Sequence, residues 1–167
     1  FMQLSDLSTY APARRLTPAD IPAILAVCRG NPLFYRYHPP LPDEAAVLAD
    51  LTALPPGKEA ADKYYVGFFQ DETLMAVLDL ILGYPNDETA FIGFFMVDAS
   101  MQSHGCGSSL ITELCTALRQ NGYRRVRLAI DEGNPQSAAF WTKNGFAKTG
   151  QQIPNDISAY YPMERTL

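Results

Sequence analysis

Residues 94–110 read Phe94-Phe95-Met96-Val97-Asp98-Ala99-Ser100-Met101-Gln102-Ser103-His104-Gly105-Cys106-Gly107-Ser108-Ser109-Leu110. An apolar strand runs into a polar turn with two glycines, and the turn opens a helix. The first amides of a helix have no partner inside it and attract anions. A Cβ at Gly105 or Gly107 would stand between backbone and ligand, so both glycines are expected to admit a phosphate or pyrophosphate closely. Spacing disfavours two such cradles. A dinucleotide fold places a third glycine where this chain has Leu110, and a nucleotide P-loop ends in Gly-Lys-Ser or Gly-Lys-Thr, which does not follow this turn.

Upstream of the turn lie three apolar runs, Tyr64–Phe69, Thr73–Leu82 and Thr89–Val97, separated by polar turns at 70–72 and 85–88. Short polar turns between such runs predict an antiparallel meander, and runs apolar on both faces predict helices on both sides of the sheet. Downstream, Leu110, Ile111, Leu114, Cys115 and Leu118 recur at helical spacing, and Asn121-Gly122 supplies the stop. Val126, Leu128 and Ile130 then alternate with Arg125, Arg127 and Ala129 as a strand does. Helix and strand complete a crossover, so this strand should lie parallel to Thr89–Val97. Asn134-Pro135 caps a further helix that ends at Asn144-Gly145, and 146–153 with 158–165 read as a closing hairpin around Pro154-Asn155-Asp156.

At the other end, Tyr10–Thr17 reads as a first strand. Thr17-Pro18 starts a helix bearing Ile21, Ile24, Leu25 and Cys28, which Gly30-Asn31-Pro32 ends. The stretch 33–42 is an unusually aromatic loop, and Phe34, Tyr35 and Tyr37 on it, with Tyr64, are candidates for a substrate wall. His38, between an aromatic residue and two prolines, is assigned no role. Pro42-Asp43-Glu44 opens a second helix with Val47, Leu48, Leu51 and Leu54 as its apolar positions, and Pro55-Pro56-Gly57 closes it.

The 167 residues fit one domain spanning 1–167, and 47% hydrophobic with 19% charged residues suits a folded globular chain rather than a disordered one. A net charge of −5 disfavours nucleic acid as a partner. Cys28, Cys106 and Cys115 form no Cys-x-x-Cys pair, which argues against disulfides and a metal site and for a cytoplasmic setting. The longest apolar stretch, Leu74 to Leu82, is too short for a bilayer and contains Asp79, so no membrane role is expected.

The turn fits Q/R-x-x-G-x-G/A through Gln102, Gly105 and Gly107, and the segment Asn134 to Phe146 fits N-x-x-A-x-x-[FLY]-[YW]-x-K-x-G-F. With these two segments and this order of elements, the chain resembles the GNAT superfamily of N-acetyltransferases along essentially its whole length. The resemblance implies a three-layer α/β fold: a mixed sheet of six or seven strands with about four helices on its two faces. It implies acetyl-CoA as cofactor and transfer of its acetyl group to a primary amine of a small molecule, peptide or protein by direct attack in a ternary complex. By the same resemblance Gln102, Ser103, His104, Gly105, Cys106, Gly107 and Ser108 would hold the pyrophosphate. Phe95, Met96 and Val97 would run beside the pantetheine arm, and Asn134, Ser137, Phe140, Trp141 and Lys143 would lie near the coenzyme. The Val97 amide would stabilise the oxyanion.

Two positions depart from the family's pattern. Trp141 stands where many members carry a tyrosine acid, and Phe91 where many carry a glutamate. Asp79, Tyr160 or Tyr161, and Ser137 are the candidate replacements. Asp79 is singled out because a carboxylate inside an apolar strand is expected to have a raised pKa. Cys106 reads as a small residue rather than a nucleophile, with no histidine patterned beside it. The missing acid and base leave a non-catalytic acyl-CoA-binding module as the alternative, while a dinucleotide oxidoreductase is disfavoured by Leu110 and the meander. A homodimer through the closing strands is compatible with this reading.

Overall fold

The computed structural model describes residues 2–150, 152–154 and 159–167. Its strands are β1 (Ala13–Arg15), β2 (Lys63–Gln70), β3 (Thr73–Leu82), β4 (Thr89–Val97), β5 (Arg125–Asp131), β6 (Ala147–Lys148), β7 (Ile153–Pro154) and β8 (Ala159–Thr166). Its helices are α1 (Ile21–Arg29), α2 (Pro32–Tyr37), α3 (Glu44–Asp50), α4 (Cys106–Gln120) and α5 (Pro135–Lys143). All eight strands form one sheet in the order β1-β2-β3-β4-β5-β8-β6, with β7 also on β8. The meander β2-β3-β4 is antiparallel and β4–β5 is parallel, as the crossover through α4 requires. Among the described residues no helix is long and apolar enough to cross a membrane.

Alternation along the strands divides the core in two. Tyr64, Val66 and Phe68 face one side with Leu110, Ile111, Leu114 and Leu118 of α4, while Tyr65 and Val77 face the other with Ile24, Leu25 and Cys28 of α1. A sheet apolar on both faces is thus covered on both, giving three layers.

Four expectations are corrected. The aromatic stretch is not all loop, because Pro32 at the first helical position starts the six-residue helix α2. Helix α3 ends at Asp50, short of Leu51 and Leu54, and of the four apolar positions only Val47 and the half-buried Leu51 reach the core, whereas Leu48 and Leu54 are exposed. The first strand shrinks to three residues. The closing hairpin becomes two two-residue strands, β6 and β7, which share one edge of β8 and bring the sheet to eight strands; its turn at Asn155-Asp156 and its Ser158 lie outside the described residues.

Candidate functional site

β4 and β5 pair at only three positions, Thr89 with Arg125, Ala90 with Val126 and Phe91 with Arg127. Past Phe91 they separate. The gap is a cavity of about 750 Å³ walled by residues 91–97, residues 128–131, the start of α4 and one face of α5. The Asp98 amide donates to the Met75 carbonyl at 2.8 Å. Strand alternation therefore turns the Val97 peptide groups away from β3 and into the gap. The Val97 carbonyl there accepts from the side-chain amides of Gln102 (2.9 Å) and Asn31 (3.2 Å). On the β3 side the register slips at Asp79–Leu80, which leaves Gly93 as an extra residue in β4.

The two glycines of the turn have different roles. Gly105 caps α4 with φ +76°, a left-handed conformation that favours glycine, and open space surrounds its Cβ position. Gly107 faces protein, since a Cβ there would lie 3.1 Å from Phe140 Cε1 and 3.3 Å from Val97 Cγ2. It allows α4 to pack on β4 and α5, so at Gly107 the close approach is to protein rather than to a ligand, while the position at Gly105 is open. The Gln102 side chain also points inward, bridging Asn31 and Val97. Ser103 and Ser108 line the cavity; His104 does not, its imidazole lying exposed against the Gln102 carbonyl at 2.8 Å. Cys106 Sγ is turned back to the Met101 carbonyl at 2.8 Å, as fits a small buried residue.

On α5 the Asn134 side-chain oxygen accepts from the amides of Gln136 (3.1 Å) and Ser137 (3.2 Å), which makes it the helix cap as well as part of the wall. Phe140 stacks on Phe95 with centroids 6.1 Å apart, and Trp141 meets Phe140 and Phe146 edge-on. Asn144 donates to Ser108 Oγ at 3.2 Å and ties α5 to the first turn of α4. Ser137, Phe140, Trp141 and Lys143 all line the cavity, as do Phe95, Met96 and Val97.

The candidate substrate wall is only partly assembled. Phe34 faces the cavity and meets Phe94 edge-on at 6.3 Å. Tyr35 turns to Cys28, and burial raises the pKa of its hydroxyl. Tyr37 stands over Gly133. Tyr64 is corrected outright: it is 2% exposed in the core and its hydroxyl donates to the Met2 carbonyl at 2.9 Å.

Among the candidate acids and bases, Tyr160 and Ser137 line the cavity. Asp79 does not. It is held by Lys63, whose ammonium lies 3.2 Å from the carboxylate and also donates to the Ala53 carbonyl at 2.7 Å. Burial pushes the Asp79 carboxyl above the usual carboxylate range and Lys63 opposes the rise. The expected perturbation is present, but the group has no cavity surface.

Sequence reading missed His38 and Asp131. The His38 ring nitrogen Nδ1 lies 2.9 and 3.1 Å from the two Asp131 oxygens, and both residues line the cavity. They are 93 positions apart. The available signal was an acid at the carboxyl end of a parallel strand, where open α/β sheets bind ligands.

The profile of the "Acetyltransferase (GNAT) family" matches residues 31–146, from the head of α2 to the end of the α5 segment. No sequence among the curated proteins matches the chain. Among solved structures, an acetyltransferase from Thermus thermophilus is 24% identical with a TM-score of 0.74, the alignment covering 93% of this chain and 96% of that one. PaiA N-acetyltransferase from Thermoplasma acidophilum, solved with coenzyme A, is 19% identical with a TM-score of 0.69, covering 93% and 98%. A phosphinothricin acetyltransferase from Sinorhizobium meliloti, solved with AcCoA, is 18% identical with a TM-score of 0.67, covering 94% and 88%. At these identities the structures establish a shared fold, and the profile match across more than half of the residues carries the assignment: the chain belongs to the GNAT family of acetyltransferases.

Proposed function

We propose that the protein is an N-acetyltransferase that moves the acetyl group of acetyl-CoA to a primary amine of a small molecule, peptide or protein, both bound at once in the β4–β5 gap. One observation carries the reading: the gap between parallel strands, the left-handed Gly105 with open space at its Cβ position and the start of α4, which has no side-chain cap, all open onto one cavity.

The residues present fit the donor. Backbone amides at Gly105 to Ser108 would hold its pyrophosphate, because the Gly105 cap leaves them without side-chain partners. Edge peptide groups of Phe95 to Val97 would run alongside the arm, and the Val97 amide is available to the acyl oxygen. When bound, acetyl-CoA supplies an activated acyl group with a thiolate to expel. Ser137 and Tyr160 both line the cavity and are the candidate proton donors to that thiolate. The Trp141 indole can donate a hydrogen bond but no proton. Phe34, Phe91 and Phe94 give the remaining wall an apolar, aromatic character.

Titration calorimetry with acetyl-CoA, followed by thiol release measured across a panel of primary amines, tests this. Binding with amine-dependent thiol release is expected. Binding with no release above hydrolysis would turn the reading to a donor-binding module, and the absence of binding would remove both.

A further inference from the structure

His38 follows α2, and Asp131 ends β5 with Tyr160 as its register partner on β8. The Asp131 side chain is 12% exposed and the His38 side chain 60%. Because the carboxylate contacts Nδ1, a neutral ring keeps its proton there and leaves the Nε2 lone pair free. A carboxylate that fixes the tautomer and steadies the imidazolium makes a histidine an oriented base. The Phe34 ring, 5.4 Å from the imidazole, packs beside it. The charged groups acting on His38 are Asp131 and, from α3, Asp50; both favour the imidazolium, while burial opposes it.

We propose that His38 is the catalytic base that takes a proton from the acceptor amine, and that Asp131 is the residue that positions it. The proposal rests on acetyl transfer to an amine as the reaction. An alkylamine has a pKa of roughly 10 and arrives as R–NH3+, which has no lone pair to attack with. One N–H proton passes to His38 Nε2, giving R–NH2 and an imidazolium. The nitrogen lone pair then forms the C–N bond while the thioester C–S bond breaks and sulfur keeps its electron pair. A second N–H proton ends on that sulfur, and the imidazolium returns its proton to water at its exposed edge. The sum is R–NH3+ and thioester to amide, thiol and one H+.

The test is kcat/KM against pH for the full chain and for His38→Gln, His38→Ala and Asp131→Asn, with acetyl-CoA binding followed by calorimetry. Two acceptors are compared: an alkylamine, and a weakly basic amine already neutral at pH 7. The unaltered protein should show a limb that rises through an ionisation above the ordinary histidine value. In His38→Gln that limb should vanish, with a loss of about 10²- to 10⁴-fold for the alkylamine. The loss should be much smaller for the weakly basic amine, and acetyl-CoA binding should be unchanged. Added imidazole should partly restore His38→Ala, and Asp131→Asn should keep the limb but move it to lower pH. Equal losses for both amines without imidazole rescue, or an unaltered limb in His38→Gln, would overturn His38 as the base while leaving acetyl transfer intact. If the unaltered protein transfers to no amine, the proposed function fails and this inference fails with it.

Discussion

Asp79 and Asp131 are both strand carboxylates held by a basic side chain, and they differ in what lies beyond that partner. Asp79 sits mid-strand on β3 with Lys63 from the start of β2, and both side chains are nearly sealed. Asp131 sits where β5 ends, and its histidine opens onto the cavity and to water. The sealed pair has the larger desolvation, the open pair the access. A perturbed ionisation therefore records burial first, and chemistry requires a reachable surface as well. The glycines of the turn repeat the contrast, with Gly107 sealed against Phe140 and Gly105 open.

If the sealed pair is structural, breaking it should cost most. Lys63→Met leaves the Asp79 charge buried without its cation and should lower stability by about 3–5 kcal/mol in urea unfolding. A loss below about 1 kcal/mol would mean that the pair is solvated and the contrast false. Gly107→Val comes next, at about 1–3 kcal/mol from overpacking against Phe140 and Val97. Gly105→Ala should cost about 1–2 kcal/mol through its backbone conformation alone. Acetyl-CoA affinity measured on folded protein separates the two glycines, because only at the open one would an added Cβ lie toward the ligand rather than toward protein.

The pH dependence sharpens the comparison further. Burial raises the Asp79 pKa in the folded state, so between the ordinary carboxylate pKa and that raised value the folded chain binds more protons than the unfolded one. Stability attributable to Asp79 therefore falls as pH rises through that window, and Asp79→Asn should flatten the profile there. The Asp131 carboxylate likewise raises the His38 pKa. Its stabilisation is fully present below the unfolded histidine value of about 6.5 and is lost as pH rises through the folded one. With a half-exposed imidazole this effect is the smallest, and His38→Gln should shift stability by less than about 1 kcal/mol at neutral pH in the same denaturation assay.

The parts of this architecture built from backbone periodicity were legible in the sequence. The β2-β3-β4 meander, the parallel placing of β5 and the helix start at 105–108 followed from alternation, turn residues and the crossover rule. The parts built from side chains meeting across the fold were not. Nothing local separates Tyr64, sealed on one face, from Tyr65 on the other, or places His38 beside Asp131. Gly107 looked like a ligand contact because the residue it accommodates, Phe140, comes from a later helix. Helix α2 was obscured because only Pro32 marks its start and its six residues are too few for a periodicity to emerge.

The three-residue contact between β4 and β5 makes the sheet two leaves joined at one end, β1 to β4 on one side and β5 to β8 on the other. Further along the opening, the alternate amides of 92–97 and 128–131 that face inward have no neighbouring strand among the described residues, so an extended ligand in the space could continue the hydrogen-bonded ladder. The donor substrate would then act as a ninth strand bridging the two leaves. Hydrogen–deuterium exchange should accordingly slow in these two segments more than anywhere else when acetyl-CoA is added. Uniform slowing, or none, would mean that the leaves are already rigid without it.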